Sequence, residues 1–409
     1  MARKELTKSK AQEYARAPKK RKGEMLDVLC EDTGWSRDNA RRQLKRALGR
    51  PRGKPERKGR ALKYSARARQ VLANAWALSG CACGLYFEAQ VKEGLLERLA
   101  ESRSLRDGRK NSGGPVGQGD PALDEVRSMS PATVDRYLAP LKRAFEPASR
   151  PTTRRSSYPL GNEIPFGKSY GGRSGPGWLS TDTGAHCGHS LKGDHLWTLN
   201  STDVVTGWTE TVTVRSRARR WIIEGHDRIL GNFPYPVKGI NYDGGSEFVN
   251  YEMVDYAKLH NYQMTRSRPY RSNDNAHVEQ KNYDIVRKNA FRYRYDGDEA
   301  KGVLNELWKW VNIRKNYLVP TRKCIGHTKT GSGRTRGVYD KPKTPYRRIM
   351  ECGEVSDKAK EALSKTYRSL DDAAVTRTII ELQQKLLTLV VDEDMLEFIN
   401  EQIESAQAA

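Results

Sequence analysis

Three carboxylates between Gly177 and Asn289 constrain this chain more than any other feature, because each stands in a different kind of local segment. Asp182 closes Gly177-Trp178-Leu179-Ser180-Thr181, a run short enough for a strand. Asp243 ends the strand-like run from Val237 to Tyr242, and the glycines Gly244 and Gly245 after it let backbone come close to a ligand. Glu279 follows a Ser/Asn/Asp cluster around Ser272 to Asn275 that reads as a helix start, with Tyr283 and Arg287 on its face at i+4 and i+8. Two strand ends and one helix can bring three carboxylates to a single point. Hard cations such as Mg2+ take oxygen ligands and keep waters for substrate phosphates. Two such ions roughly 3.5–4 Å apart stabilise the attacking and leaving oxygens of a phosphoryl displacement. Without cations, three crowded carboxylates repel one another. Spacing alone does not single out these acids among 50. Of their rivals, turn formation accounts for Asp203, and Glu247 sits on the loop side of Asp243.

The local phrases are more specific. Thr181-Asp182-Thr183, Tyr242-Asp243-Gly244-Gly245-Ser246-Glu247-Phe248 and the segment from Asn273 to Asn282 resemble the three acidic blocks of the retroviral-integrase-like DDE transposases. The phrases Ser267 to Asn282 and Asp182 to Gly188 are similar to a bacterial insertion-sequence branch of that family. The turn after Asp243 departs from it, with Gly-Gly where many relatives have Asn-Gly. The resemblance covers residues 175–350 most closely. It implies an RNase H-like core that cleaves and joins DNA strands. It also implies two Mg2+ ions, for which Mn2+ can substitute. The catalytic and metal-binding triad then falls on Asp182, Asp243 and Glu279, with Asp182 bridging both ions.

Charge agrees with a polyanionic partner. The chain has 409 residues, a formal net charge of +23 and a pI near 9.7. Residues 1–70 hold 23 Lys and Arg against 8 Asp and Glu, so the excess is concentrated at that end. No apolar run reaches membrane-spanning length, and no apolar stretch follows the basic start as in a signal peptide. Six scattered cysteines without a Cys-x-x-Cys pair fit reduced thiols in a cytoplasmic, nucleoid-associated bacterial protein.

The expected architecture is multidomain. It has N-terminal all-α helix-turn-helix modules, a central α/β RNase H-like core with a mixed five-stranded sheet, a small C-terminal basic or β region, and terminal helices. Residues 1–60 form the first module, with a basic start that is partly disordered at first and has a helical tendency from Ser9 to Arg16. Within it Ser36 caps a basic helix whose Arg41, Arg42, Lys45 and Arg46 suit the major groove, although an ordinary helical hairpin has the same outline. Arg50 and Arg52 flank Pro51 and Gly53 in a segment that reads equally as a minor-groove contact or a basic linker. Residues 61–145 form a second helical domain, with Ser130 and Pro131 opening a helix that carries Arg136. Residues 146–176 are a linker, 177–315 the catalytic core, 316–352 a basic DNA-contacting region and 353–409 the terminal helices. Val375, Ile379, Leu382, Leu386 and Leu389 make a short heptad seam that either pairs subunits or folds back on the core.

Arg268, Lys281 and Arg287 are candidates for orienting DNA phosphates, and a solvated helix face explains them equally well. His186, Cys187, His189 and His195 cluster after Asp182 without the spacing of a zinc site. The sequence thus points to a transposase acting on double-stranded DNA, both element ends and target, as a homo-oligomer and with a helper ATPase as a further partner. Two rivals remain open: a DNA-binding regulator with an inert core, and a nuclease that cuts without joining.

Overall fold

A computed structural model describes residues 2–48, 62–106, 114–144, 164–165, 175–188, 191–243, 245, 247–267, 282–329 and 335–391. The chain divides into two compact units, Met1–Lys63 and Tyr64–Ala409.

The first unit has three helices: α1 (Ala2–Arg16), α2 (Lys19–Thr33) and α3 (Arg37–Ala47). Ala11, Leu26, Leu29, Ala40 and Leu44 close a small core among them. Gly34 ends α2 in the left-handed conformation, at φ 70°. The Ser36 side chain then accepts from the Asn39 N–H and starts α3, as expected. The helical tendency expected from Ser9 to Arg16 is realised, and the helix extends back to Ala2 where partial disorder was expected, with Ala11 and Tyr14 giving α1 an apolar edge to bury. Arg41, Arg42, Lys45 and Arg46 are exposed on α3, whereas Ala40 and Leu44 on the same helix are buried.

The second unit opens with α4 (Ala66–Leu78), α5 (Gly84–Lys92), α6 (Leu95–Glu101), α7 (Pro121–Arg127) and α8 (Pro131–Ala144). Leu72, Trp76, Phe87, Leu96, Leu123 and Leu138 belong to its core. Helix α5 approaches α8 so closely that a Cβ on Gly84 would lie 2.1 Å from the Pro131 carbonyl oxygen. The Gly84 N–H donates to Asp135 at 2.8 Å and locks the crossing.

Five strands follow: β1 (Trp178–Ala185), β2 (Trp197–Asp203), β3 (Thr209–Val214), β4 (Gly239–Tyr242) and β5 (Gln263–Arg266). Their order is β3-β2-β1-β4-β5. The first three are antiparallel, and β4 and β5 run parallel to β1. This is the expected RNase H-like mixed sheet. Helix α9 (Arg219–Asn232) packs on one face, where Gly225 meets Leu199, Val212 and Val214. On the other face, Trp308 of α12 (Gly297–Ile313) donates to the Thr213 hydroxyl at 2.7 Å. Between them lie α10 (Tyr251–Leu259) and α11, a π-helical stretch Asn282–Arg287 continuing as Lys288–Ala290. A second π-helical stretch, Arg314–Leu318, extends α12.

The basic region after the core contains an antiparallel ribbon, β6 (Cys324–Lys329) and β7 (Thr335–Tyr339). Helices α13 (Pro345–Met350), α14 (Asp357–Arg368) and α15 (Asp372–Leu387) complete the described chain. The heptad seam folds back. Val375, Ile379 and Leu386 are at most 1% exposed within the main core. Helix α15 also reaches the N-terminal helices of its unit, through an Arg98–Asp372 ion pair at 2.7 Å and a Thr376 hydroxyl bond to the Leu78 carbonyl at 2.5 Å.

Gly84→Ala is expected to pry α5 from α8 and destabilise the second unit by about 1–3 kcal/mol, the usual range for forced overpacking. Denaturant unfolding of the two proteins measures it; an unchanged midpoint would show that the α5–α8 crossing is slack.

Candidate active site

Strand register brings the two aspartates together. Thr181 of β1 pairs with Tyr242 of β4 in parallel. The next residues are Asp182, inside β1, and Asp243, just past the end of β4, so the register brings them to neighbouring positions. Both are half-buried. The Asp182 carboxylate accepts from the Thr183 N–H at 2.7 Å and from the Asn282 side-chain amide at 2.5 Å. Asn282 in turn accepts from buried Asn200 at 3.1 Å, and Asn200 accepts from Thr211 at 3.3 Å. A polar line thus crosses β3, β2 and β1 and ends on Asp182. Asp243 accepts from the Gly245 N–H at 3.1 Å, which folds the loop after β4. A Cβ at Gly245 would meet the Glu247 carboxylate at 2.6 Å, so that turn has no room for a larger residue.

Helix α11 is held beside Asp182 by buried polar contacts. Lys315 bonds Asp284, Arg314 donates to Asn289 at 2.7 Å, and Gln383 of α15 donates to the Asn289 carbonyl at 2.8 Å. Burial pushes the Arg314 and Lys315 pKa values down. The Asn289 amide donates to the Ile285 carbonyl at 2.6 Å, within a π-helical turn of a kind frequent at functional sites. Arg287 points its guanidinium inward, donating to the Ala185 carbonyl at the end of β1 at 2.9 Å. Its described role is to fasten α11 to the sheet.

Glu279, Arg268, Lys281, Arg50 and Arg52 lie outside the described residues. Arg136 is exposed on α8, 5.5 Å from the Tyr137 ring centroid. Among the described residues, no three His, Cys, Asp or Glu stand together as a metal cluster. His186 is a core residue: its Nε2 lies 2.7 Å from the Thr198 hydroxyl, and burial lowers its pKa to about 3. Asp203 is a turn residue, as expected. It accepts from the backbone N–H groups of Gly177, Val205 and Thr206. Sequence reasoning missed Asn200 and Asn282. The signal for Asn200 was an amide in the middle of an otherwise wholly buried strand.

Residues 173–272 match the family model "Integrase core domain". Over this stretch the chain resembles an integrase core. Over 364 residues it is 29% identical to an uncharacterized protein of Sinorhizobium fredii, y4rM, covering 86% of this chain and 97% of that one. It is also similar to the catalytic core domain of BIV integrase, at 13% identity with a TM-score of 0.29, over 43% of this chain and 95% of that one. Among the described residues, no helix is long and apolar enough to cross a membrane.

One further buried acid lies along the sheet edge. Burial raises Glu210 to about pKa 8, against hydrogen bonds from Trp208 and Asn312 that pull it down. The folded protein keeps a proton there that the unfolded chain releases near pH 4.5. Stability from this group is therefore full at acid pH, falls as pH rises through that window, and is lost above about 8. Glu210→Gln is expected to flatten the loss, so that its melting temperature relative to the parent climbs from pH 5 to pH 8. A constant difference across that range would remove Glu210 as the source.

Proposed function

We propose that this protein is a DNA transposase that cleaves mobile-element ends and transfers their 3′-hydroxyl strands into target DNA at a D,D,E site. The observation that carries this reading is the parallel pairing of Thr181 with Tyr242, the residues just before Asp182 and Asp243, beside a helix whose Asn282 binds Asp182. Glu279, the proposed third acid, stands three positions before Asn282, a separation that on a helix places two side chains on one face.

The donor set suits Mg2+: it consists of carboxylates, half-buried at Asp182 and Asp243, with no thiol or imidazole among the proposed ligands. Asp182, Asp243 and Glu279 would hold two such ions, with Asp182 shared between them. When bound, the ions supply an activated oxygen nucleophile and neutralise charge on the leaving oxygen. The protein's own part is placement. Asn282 and the Thr183 N–H fix the rotamer of Asp182, and the Gly245 N–H fixes Asp243. The exposed cations of α3 and Arg136 of α8 would bind the DNA backbone and recognise element ends, in the arrangement of helix-turn-helix modules. Joining two ends requires at least two subunits.

The test is an assay of purified protein with Mg2+ and DNA from the element's ends. Joined products support the transposase, nicks alone a nuclease, and binding without cutting a regulator. Asp182→Asn is expected to lower both cleavage and joining by at least about a thousandfold, the equivalent of roughly 4 kcal/mol, with DNA binding kept. Full activity in that variant would take Asp182 out of the mechanism. Asn282→Ala leaves the acids in place but frees Asp182 to rotate, so a drop of about 10–100-fold is expected, the usual effect of losing a residue that orients a metal ligand. Titrating Mg2+ checks it: the optimum should move to higher concentration.

A further inference from the structure

Four arginines crowd the junction of β3 and α9: Arg215, Arg217, Arg219 and Arg220, all exposed. Arg217 is the one the fold holds in place from two sides. Its guanidinium lies 4.4 Å from the Trp197 ring centroid and 3.6 Å from Glu247 Oε2. The Glu247 side chain is only 4% exposed, while that of Arg217 is 49% exposed. Glu247 Oε1 accepts from the Thr183 hydroxyl at 3.1 Å. Its Oε2 is buried and accepts no hydrogen bond. A buried carboxylate oxygen left open in this way favours a cation at its side. The Trp197 face adds a second attraction to the same guanidinium. Arginine has five N–H donors in a rigid fork, more than Glu247 uses, and half of this side chain faces solvent.

The location gives the cation its meaning. Thr183 follows Asp182 on β1 and so faces the opposite side of the sheet, which puts the Glu247–Arg217 pair on the α9 face, with Glu247 in the loop that follows Asp243. Arg219 is paired with Glu252 at 2.7 Å, and Arg220 lies 4.7 Å from the Trp221 ring centroid. These contacts leave Arg217 as the cation whose position is set by the loop that follows Asp243.

We propose that Arg217 is a DNA-phosphate contact on the α9 face of the sheet, beside the loop that follows Asp243, held in position by Glu247 and Trp197, with Arg215 and Arg220 extending the same cationic edge. This rests on the strand-transfer reading for its ligand, the phosphodiester backbone. Glu247 is a positioning residue here, acting through Arg217.

The experiment uses full-length protein and two labelled duplexes, a candidate element end and an unrelated target, with binding followed by anisotropy across a salt series. Arg217→Ala is expected to weaken binding about tenfold and to lower the slope of log affinity against log salt by about one. Arg217→Lys should keep the slope but lose affinity, since an ammonium neither forks nor stacks as well. Glu247→Gln should weaken binding in the parent and add nothing in the Arg217→Ala background. Loss on the element end alone assigns the phosphate to that end, and loss on both duplexes assigns it to any backbone; either supports the proposal. A normally melting Arg217→Ala protein with unchanged affinity and slope overturns it. So does a Glu247→Gln effect that persists undiminished without Arg217. Arg217-dependent binding in a protein that neither cuts nor joins DNA would sink the strand-transfer reading and leave the contact standing. Parent protein that binds neither duplex would overturn both.

Discussion

The parallel pairing of β1 with β4 is the constraint on which the rest of the site depends. Leu179 and Ile240, fully buried and directly paired, fix its register. A slip of one residue would turn Asp243 to the opposite face from Asp182 and expose the apolar side chains at the same time. The apolar core therefore enforces the placement of two hydrophilic groups that could not attract each other. Carboxylates side by side are repulsive, and only a framework stabilised elsewhere can present them together.

The same logic governs α11. Its contacts with the rest of the protein include an unusual number of buried cations and amides, among them Lys315 with Asp284 and Arg314 with Asn289. Desolvating such groups is costly, and an apolar interface would be at least as stable. Directional bonds instead specify one rotation of the helix about its axis. That rotation is what sets Asn282 against Asp182.

The sheet was legible because its strands carry apolar residues between clear turn signals, and Asp203, Ser36 and Gly34 act locally, as their neighbours imply. The place of Asp243 at the end of β4 was legible for the same reason, whereas Asp182, expected to close its strand, lies inside β1, which runs on to Ala185. What the sequence concealed depends on partners far along the chain. Asn282 reaches Asp182 across 100 positions, and no local pattern announces it. The β6–β7 ribbon gave weak strand signals because it buries little: Ile325 is 67% exposed and Tyr339 51%, so no inside face imposes alternation. Only the first turns of α1 were hidden, by their basic composition, since the deepest contact of the helix is made further on by Ala11. The seam of α15 has a spacing equally suited to another subunit and to its own core, and only the packed structure decides between them.

That C-terminal helix carries a consequence for biosynthesis. Asp372 meets Arg98, 274 positions earlier, and Gln383 supports the backbone of α11 at Asn289. Contacts so distant form late and slow the approach to the native state. On the ribosome, the strands and their aspartates emerge well before the helix that steadies α11 over them. A nascent chain would thus hold both aspartates while still lacking the buttress that steadies the helix beside them.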